Sequence, residues 1–340
     1  MLLLHRGELS IRASEAAVVE APGPSTRSEG AVQVIRKALL ATSQNRWLKE
    51  RAPRYRFVQR AAARFMPGED MEQALAAARI LQGQRVSSIL TQLGENLTSV
   101  AEAKDVTQHY LRVLDRVKAL RLDVEISIKP TQLGLDQNER ECLQNLEILA
   151  EHAAQQLGNF VWIDMEGSAY TDRTLELFQK ARQRHANLGV CLQSYLYRTP
   201  KDLEALLPLG GGIRLVKGAY REPPEIAYPR KRDVDESYMR LAERLLTPEA
   251  RQHTRAAFGT HDLKLIQRIS QQAQKLGLPS AEVEFELLYG IQRAEQLRLA
   301  RDGYRVRVLI SYGSQWFPWF MRRLAERPAN IGFVVRNLFS

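Results

Sequence analysis

The stretch FVWIDMEGSAYTDRTLELFQKARQRHANLGVCLQ (residues 160–193) contains one complete repeat of the fold. It begins with a short apolar run, continues with a segment in which apolar residues recur every three or four positions, and ends with a second apolar run. The two runs are typical of buried strands, and the middle segment is typical of an amphipathic helix. A strand, a helix and a strand in this order favour two parallel strands joined by a helical crossover.

The same alternation runs from residue 85 to the end of the chain. The predicted strands are VSSIL (86–90), VEISIK (124–129), FVWID (160–164), LGVCLQ (188–193), GIRLVKG (212–218), RAAFGT (255–260), VEFELL (283–288) and RVRVLI (305–310). Amphipathic stretches such as residues 99–120 separate them. Eight strand–helix repeats predict an α/β fold, a (βα)8 barrel of the TIM type. The alternative, an open doubly wound sheet, would require a glycine-rich phosphate loop after its first strand, and the sequence has none there.

The N-terminal region differs in composition from the barrel region. Residues 1–30 include the stretch EAPGPSTRSEG (20–30), which predicts a flexible segment. Residues 31–84 have helical periodicity and predict extra N-terminal helices, whereas residues 85–340 are predicted to form the barrel. The two cysteines, Cys142 and Cys191, form neither a disulfide framework nor a zinc motif, which suits a reducing compartment. We predict no metal site.

The formal net charge of the 340-residue chain is +10, and the basic residues are spread through every segment. The one local cluster, PRKRD (229–233), is predicted to be a solvated loop, and no nucleic-acid motif accompanies it. We therefore expect no nucleic-acid partner. The apolar run in MLLLHRGELS (1–10) is too short for a signal peptide or a membrane span. We expect a cytoplasmic protein whose basic surface is able to contact a membrane peripherally.

Polar residues stand at the C-terminal ends of five predicted strands, where barrel enzymes carry their active sites. They are Lys129, Asp164 with Met165, Gln193, Arg214 with Lys217, Gly218, Ala219 and Tyr220, and Thr260 with His261. Strands buried on both faces are normally continuous apolar runs. An isolated buried charge costs several kcal/mol unless it is compensated, so the convergence of these residues indicates a functional site more than simple solvation.

The stretch WFPWFMRRLAERPAN (316–330) predicts a final helix that begins near Ser314 and ends before Pro328. Phe317, Phe320, Met321 and Leu324 form an apolar stripe at helical spacing. A second face carries Trp319, Arg322, Arg323 and Glu326. In isolation, this second face would be interpreted as the solvated side of a surface helix.

Seven motifs, in this order along the chain, resemble the proline dehydrogenase family. They are SIKPTQLG (127–134), WIDMEGS (162–168), QSYLYRT (193–199), RLVKGAYRE (214–222), GTHD (259–262), FELLYGI (285–291) and MRRLAERPAN (321–330). The resemblance covers residue 85 to the C-terminus, and the combination of RLVKGAY with MRRLAERPAN is specific. It implies a distorted (βα)8 barrel that binds FAD non-covalently, with the last helix lying over the barrel mouth.

The resemblance also implies roles for individual residues. Asp164 matches the family's active-site aspartate, and Arg214 matches the arginine near the flavin N5. The other positions that match flavin contacts are Met165, Gln193, Lys217, Gly218, Ala219, Thr260 and His261. The positions that match substrate contacts are Lys129, Arg322, Arg323, Tyr220, Leu288, Leu309 and Trp319. Among these, Lys129 and the two arginines would bind the substrate carboxylate, because guanidinium groups suit its bidentate recognition.

A count of charges supports this grouping. The cations are Lys129, Arg214, Arg322 and Arg323, and the carboxylates are Glu95, Asp164 and Glu326. Glu95 resembles the acid that pairs with the first helix arginine. One substrate carboxylate would then balance the site, as burial prefers. Lys217 and His261 remain to face a cofactor pyrophosphate.

Two positions depart from the family pattern, because Leu309 and Trp319 stand where the family usually places tyrosines that wall the proline ring. We interpret the protein as an FAD-dependent oxidoreductase that oxidises L-proline or a close analogue to the cyclic imine, by hydride transfer to flavin N5. Electrons then pass to a quinone-type acceptor. One alternative is an enzyme of specialised metabolism that acts on a hydroxylated or N-substituted proline-like amino acid. A second is a non-catalytic basic barrel that serves as a binding module.

Overall fold

The computed structural model describes residues 51, 55–94, 97–317 and 319–321. Eight parallel strands form a closed barrel in sequence order, and the last strand pairs with the first. The strands are β1 (Ser87–Gln92), β2 (Val124–Ile128), β3 (Val161–Ile163), β4 (Leu188–Gln193), β5 (Gly211–Val216), β6 (Thr254–Gly259), β7 (Glu284–Leu288) and β8 (Arg305–Tyr312). The predicted (βα)8 barrel is confirmed, and each predicted strand overlaps the observed one.

Helices surround the barrel and precede it. They are α1 (Arg56–Ala62), α2 (Met71–Gln82), α3 (Val100–Leu120), α4 (Glu139–Leu157), α5 (Thr171–Arg182), α6 (Thr199–Leu206), α7 (Lys231–Leu245), α8 (Pro248–Arg251), α9 (Leu263–Lys275) and α10 (Arg293–Arg301). Their ends follow local chemistry: the Ser99 side chain accepts a hydrogen bond from the Glu102 amide where α3 begins. Gly158 adopts the left-handed conformation where α4 ends. No helix in the described ranges is long and apolar enough to cross a bilayer.

Along each strand, successive side chains point alternately into the layer between the strands and the helices and into the barrel interior. On β7, for example, Phe285 and Leu287 belong to the large apolar core between the strands and the helices. Glu284 and Glu286 point the other way, into the barrel interior, because successive strand side chains face opposite sides. Glu284 contacts Arg255 of β6, and Arg255 also reaches Glu125 of β2 on the far side of the barrel. The barrel interior is therefore polar at the level of these residues.

The lower end of the barrel interior holds four charged side chains, which we call the lower ion cluster: Glu125, Arg255, Glu284 and Arg307. Arg255 donates to both glutamates at distances of 2.6 to 3.2 Å. Arg307 lies 3.3 Å from Glu125 and 3.3 Å from Glu284. Two cations and two carboxylates balance, so the cluster satisfies the main requirement for burying charge.

Trp162 of β3 fills the middle of the barrel interior and is fully buried. Its Nε1–H donates to Glu125 at 2.7 Å, which ties the indole to the lower ion cluster. Gly189 and Gly212, on the next two strands, provide the space that the ring occupies. A Cβ atom would lie 2.4 Å from the ring at Gly189 and 2.8 Å from it at Gly212. The large side chain on one strand thus depends on two missing side chains on its neighbours.

The N-terminal helices and the last helix share an apolar cluster. Phe65 and Met66, which follow α1, pack with Phe317, Phe320 and Met321. This confirms the described part of the predicted apolar stripe; Leu324 lies outside the described residues. The first helical residue is Trp316, because the predicted start, Ser314, lies in a turn. The predicted flexible segment 1–30 and the rest of the final helix also lie outside the described residues.

The prediction of a loop over residues 229–233 is wrong for its second half, because Lys231 begins α7. The charges of this basic stretch are also largely compensated within the helix. Arg230 pairs with Asp233 at 2.7 Å, and Arg232 pairs with Glu236 at 2.9 Å. The helical spacing of these acids, three or four residues later, explains both the helix and the pairing. These basic residues therefore lie at the N-terminus of α7 and are ion-paired, so they do not form a free basic patch.

Candidate active site

A cleft of about 600 Å³ lies at the C-terminal ends of β3 to β8. We call it the mouth cleft. The predicted site residues that line it are Asp164, Met165, Gln193, Arg214, Lys217, Gly218, Ala219, Thr260, His261, Leu288 and Leu309. These residues come from six different strand ends, as expected for a barrel enzyme. The structure thus brings most of the predicted catalytic and cofactor-binding positions into one concave surface.

The floor of the mouth cleft contains a second charged group, the upper ion cluster, formed by Asp164, Arg214 and Glu286 with the hydroxyl of Ser127. Arg214 is buried, and its Nη1 donates to Asp164 Oδ1 and to Ser127 Oγ, each at 2.9 Å. Its Nε lies 2.5 Å from Glu286 Oε2. The Ser127 hydroxyl donates to Asp164 Oδ1 at 2.7 Å. Four strands therefore fix one guanidinium group.

The Arg214 guanidinium also lies over the Trp162 ring, with its Cζ 4.5 Å from the ring centroid. Such a placement adds a favourable cation–π interaction. Burial opposes the charged form of Arg214, but the negative charges of Glu286 and then Asp164 outweigh it and raise the arginine's pKa. Arg214 is accordingly a fixed positive charge at the cleft floor.

Glu286 is a site residue that the sequence-based prediction missed. It is only 5% exposed, and burial raises its pKa to about 7 despite the attraction of Arg214. The predicted balance of charges is therefore incomplete, since Glu286 adds a carboxylate that the count omits. The signal was present in VEFELL (283–288), where alternate residues face opposite sides of a strand and the glutamates share a side with Leu288.

A lysine–aspartate network forms one rim of the mouth cleft. Lys217 donates to Asp235 at 2.5 Å and to Asp262 at 2.9 Å, and Lys231 donates to the same two carboxylates. Burial would raise the pKa of Asp262, but the hydrogen bonds from Lys217 and Lys231 lower it below its usual value. Lys217, predicted to face a cofactor pyrophosphate, is thus already held by two carboxylates in this structure.

Other polar groups of the cleft are anchored to the ends of the strands. His261 Nε2 accepts a hydrogen bond from the Leu288 amide at 2.8 Å, so this ring nitrogen carries no proton. Gln193 donates to the carbonyl oxygen of Glu166 at 3.3 Å, and its buried Oε1 has no hydrogen-bond partner among the described residues. The Thr260 hydroxyl accepts from the Asp262 amide at 3.2 Å.

The loop after β5 is tied to the loops after β3 and β4. The Glu222 carboxylate accepts hydrogen bonds from the Ser168 amide and hydroxyl, at 2.8 and 2.6 Å. Gly218 has a φ of +117° and lies against the Tyr195 ring, where an added Cβ would approach to 2.4 Å. Glycine is therefore required at this position by both its conformation and its packing. These contacts hold the loop segment that carries Ala219 and Tyr220.

Some predicted substrate contacts lie elsewhere. Lys129 directly follows β2 and is half-buried, but it does not line the mouth cleft. Tyr220 is 37% exposed on the loop after β5. Trp319 packs against the apolar cluster between α1 and the last helix. The remaining predicted residues, Glu95, Arg322, Arg323 and Glu326, lie outside the described residues.

Comparisons with known proteins agree with this architecture. The family model described as proline dehydrogenase matches residues 74–336. Proline dehydrogenase 1 of Bacillus subtilis subsp. natto is 35% identical over 90% of this chain and 99% of its own length. Proline dehydrogenase of Deinococcus radiodurans is 36% identical over 90% of this chain and 98% of its own length.

A solved structure shows the same fold. Proline utilization A (PutA) from Bdellovibrio bacteriovorus, inactivated by N-propargylglycine, superimposes with a TM-score of 0.76 and 22% sequence identity. The superposition covers 88% of this chain and 37% of the PutA chain, so the present chain corresponds to about a third of that protein. On the family model and the two bacterial relatives, the chain belongs to the proline dehydrogenase family, which comprises oxidoreductases that act on a CH–NH group.

Proposed function

We propose that the protein oxidises L-proline, or a close analogue with a free carboxylate, to the cyclic imine, with FAD as the hydride acceptor and a quinone-type compound as the final electron acceptor. The observation that carries this proposal is the upper ion cluster at the floor of the mouth cleft. It places the fixed cation Arg214 and the carboxylate of Asp164 side by side, 2.9 Å apart, in a chain of the proline dehydrogenase family.

The residues of the mouth cleft fit a flavin. Buried polar atoms that have no hydrogen-bond partner in the described part of the chain include Arg214 Nη2 and Gln193 Oε1, and both residues line the cleft. An unpaired buried polar atom costs about 1–3 kcal/mol, so such atoms favour a bound polar molecule. Met165, Leu288 and Leu309 supply apolar walls. A mostly apolar cleft with a few fixed polar groups is typical of cofactor sites.

When bound, FAD would supply the electron-accepting ring, and the protein supplies position and charge. We assign Arg214 to stabilise the negative charge that develops when that ring is reduced, because a preorganised cation acts strongly in a dry cleft. Asp164 holds Arg214 from one side and lies at the rim of β3. Met165, Gln193, Lys217, Gly218, Ala219, Thr260 and His261 would hold the cofactor.

The substrate would be fixed through its carboxylate by Lys129, Arg322 and Arg323. Glu95 and Glu326 would support these cations by ion pairs. Holding the carboxylate places the ring carbon next to the nitrogen beside the acceptor, and this orientation is a large part of catalysis. The substrate amine must lose its proton first, because its lone pair drives hydride loss. Tyr220, Leu288 and Trp319 would complete the ring pocket.

A modified proline is the second candidate substrate. Leu309 lines the mouth cleft, and it offers no hydroxyl where the family usually has a tyrosine. An apolar wall at this point leaves more room and removes a hydrogen-bond donor beside the substrate ring. A hydroxylated or N-substituted proline-like amino acid would therefore fit the same carboxylate anchor.

The test is anaerobic mixing of the purified yellow holoenzyme with a panel of cyclic amino acids. We expect L-proline or one of its analogues to bleach the yellow absorbance of the oxidised flavin, because the cofactor accepts the substrate's electrons. A decarboxylated control, pyrrolidine, should not bleach it at comparable concentrations, because it lacks the carboxylate. Protein that contains FAD but is bleached by no member of the panel would contradict the proposal.

We also propose that residues 85–340 form the FAD-binding catalytic barrel, preceded by helices within residues 31–84 and a flexible segment over residues 1–30. The proposed location is the cytoplasm, with peripheral contact to a membrane where a quinone would be reduced. Fractionation of cell lysate, with and without added anionic vesicles, tests this location.

A further inference from the structure

We propose that Glu286 is a positioning residue for this reaction. It fixes the guanidinium of Arg214 so that Nη2 is the nitrogen offered to the mouth cleft, and its own charge sets how readily a bound flavin accepts electrons. The proposal rests on the proposed function, since it concerns the same cleft. The roles proposed above for Asp164 and Arg214 do not account for the presence of this third buried charge.

The geometry leaves the guanidinium group little freedom. Glu286 Oε2 lies 2.5 Å from Nε, whereas Asp164 and Ser127 both accept from Nη1. The Trp162 ring supports one face of the group, 4.5 Å from Cζ. Neither Nε nor Nη2 makes a hydrogen bond within the described part of the chain, but Nε lies 2.5 Å from Glu286 Oε2, so Nη2 is the nitrogen most available to a further partner.

Glu286 also has a carboxylate oxygen that accepts no hydrogen bond from the described residues. Its Oε1 is buried and has no hydrogen-bond partner among the described residues, and the residue lines the mouth cleft. Nη2 of Arg214 and Oε1 of Glu286 are therefore a donor and an acceptor left open on two paired side chains. A well-packed structure rarely leaves two buried polar atoms unpaired beside a cleft unless a ligand or water completes them.

The charge of Glu286 is poorly compensated for a buried group. Arg214 is shared between Glu286 and Asp164, so the upper ion cluster has one positive and two negative side chains. The other titratable groups that face Glu286 come from every neighbouring element. They are Glu125 of β2, Cys191 of β4, Arg255 of β6, Glu284 of β7 and Tyr238 of α7, with Arg307 of β8 paired to Glu284.

This balance makes proton uptake by Glu286 sensitive to negative charge added nearby. Burial raises the pKa of its carboxyl to about 7. Two-electron reduction of a bound flavin increases the negative charge beside it, so the carboxyl binds a proton more tightly in the reduced enzyme. Between the pKa values that Glu286 has in the oxidised and in the reduced enzyme, that is from about pH 7 upward, reduction would therefore be accompanied by uptake of up to one extra proton at Glu286.

The experiment measures the two-electron midpoint potential of the FAD-loaded enzyme between pH 6 and 8, using a chemical reductant and a reference dye. From about pH 7 upward, the wild type should take up more protons per two electrons than Glu286→Gln does, by up to one proton. Above pH 7.5, the substitution removes a negative charge and should favour the reduced enzyme about tenfold, which corresponds to about 30 mV for a two-electron couple.

Glu284→Gln is the matched control, because it is the same substitution two residues earlier on the same face of β7. It alters the lower ion cluster and removes a charge that raises the pKa of Glu286, so we expect it to lower stability and to move the extra proton uptake to lower pH without abolishing it. Equal potentials and equal pH slopes for Glu286→Gln and the wild type would overturn the proposal.

The wild type alone provides a second test if Glu286→Gln does not fold. A midpoint potential without extra pH dependence between pH 6 and 8 would then overturn the proposal. Because a chemical reductant is used, the result is independent of which amino acid the enzyme oxidises. Failure of every cyclic amino acid to bleach the flavin would overturn the proposed function alone, whereas protein that binds no FAD would overturn both.

Discussion

The barrel interior contains an arginine–glutamate cluster at each end, and the two clusters differ in how completely they are paired. In the lower ion cluster, no buried nitrogen or oxygen atom of the four side chains lacks a partner in the described part of the chain. In the upper ion cluster, Arg214 Nε, Arg214 Nη2 and Glu286 Oε1 make no hydrogen bond there, although Nε lies 2.5 Å from Glu286 Oε2. The lower cluster has equal numbers of cations and carboxylates, whereas the upper one has an excess carboxylate.

Trp162 separates the two clusters and contacts both. The guanidinium of Arg255 lies 5.2 Å from the ring centroid, and that of Arg214 lies over the ring at 4.5 Å. The same residue types in the same interior therefore serve different purposes. Complete pairing at the N-terminal end buries four charges without leaving one uncompensated, whereas incomplete pairing at the C-terminal end leaves groups available to a ligand. This matches the general division of labour between the two ends of such barrels.

The largest expected effect comes from removing one cation from the fully paired lower ion cluster. Arg255→Met should lower the free energy of unfolding by about 3–5 kcal/mol, because it leaves Glu125 and Glu284 buried without their principal cation. Urea-induced unfolding followed by circular dichroism measures the change. The matched control is Arg305→Met, an exposed arginine on the neighbouring part of β8, which should change stability little. Equal effects of the two substitutions would show that the lower cluster is not a stabilising element.

A second substitution tests the packing of Trp162, the residue that separates the two ion clusters. Gly189→Ala places a Cβ 2.4 Å from the Trp162 ring, and we expect a loss of about 1–3 kcal/mol from overpacking. Gly83→Ala is the control, since Gly83 has a φ of −61° and the nearest atom to an added Cβ is 3.4 Å away. Thermal unfolding of both variants gives the comparison. A Gly189→Ala protein as stable as the Gly83→Ala protein would mean that Trp162 repacks easily.

The third prediction concerns pH and the upper cluster. The folded-state pKa of Glu286 is about 7, above the ordinary value of 4.5, so protonation favours the folded state. This contribution is complete below pH 4.5 and is lost as the pH rises through 7. The wild type should therefore lose stability relative to Glu286→Gln over this interval, by an amount on the order of 1 kcal/mol or more. A pH-independent difference between the two unfolding free energies would contradict the assignment.

The smallest effect is expected outside the barrel. Arg232 and Glu236 form an exposed pair at 2.9 Å on α7, where solvent screens the interaction. Arg232→Ala should leave the denaturation midpoint unchanged within error at 0.15 M salt (roughly physiological). A loss comparable to that of Arg255→Met would show that burial is not what distinguishes the two kinds of pair.

The barrel and most of the mouth cleft could be predicted from the sequence, because both depend on local pattern. Strand–helix periodicity predicts eight parallel strands, and parallel strands place their C-terminal residues at one end. Asp164, Arg214 and Thr260 could therefore be grouped from the order of the residues alone. The family resemblance then supplied roles for these positions.

The parts that could not be predicted depend on contacts between distant segments. Trp162 fits only because two other strands carry glycine at the right level, and Lys217 meets Asp235 and Asp262 from two later elements. Glu286 is difficult to predict for a different reason, because VEFELL (283–288) has the composition of an apolar strand and its glutamates become site candidates only when its two faces are separated. Residues 229–233 predict a loop because Pro229 and a run of charges are typical of one, whereas the acids that pair with these cations lie further along α7.

The buried indole has a consequence for access to the cleft. Ile89, Ala257 and Leu309 pack around Trp162 and close the barrel axis with apolar atoms. These apolar atoms disfavour water and hydrated ions along the axis, so we expect the carboxylates above them to exchange hydrogen ions with bulk solvent through the mouth cleft. A guest that fills that cleft would isolate Glu286 from the surrounding buffer for as long as it stays bound.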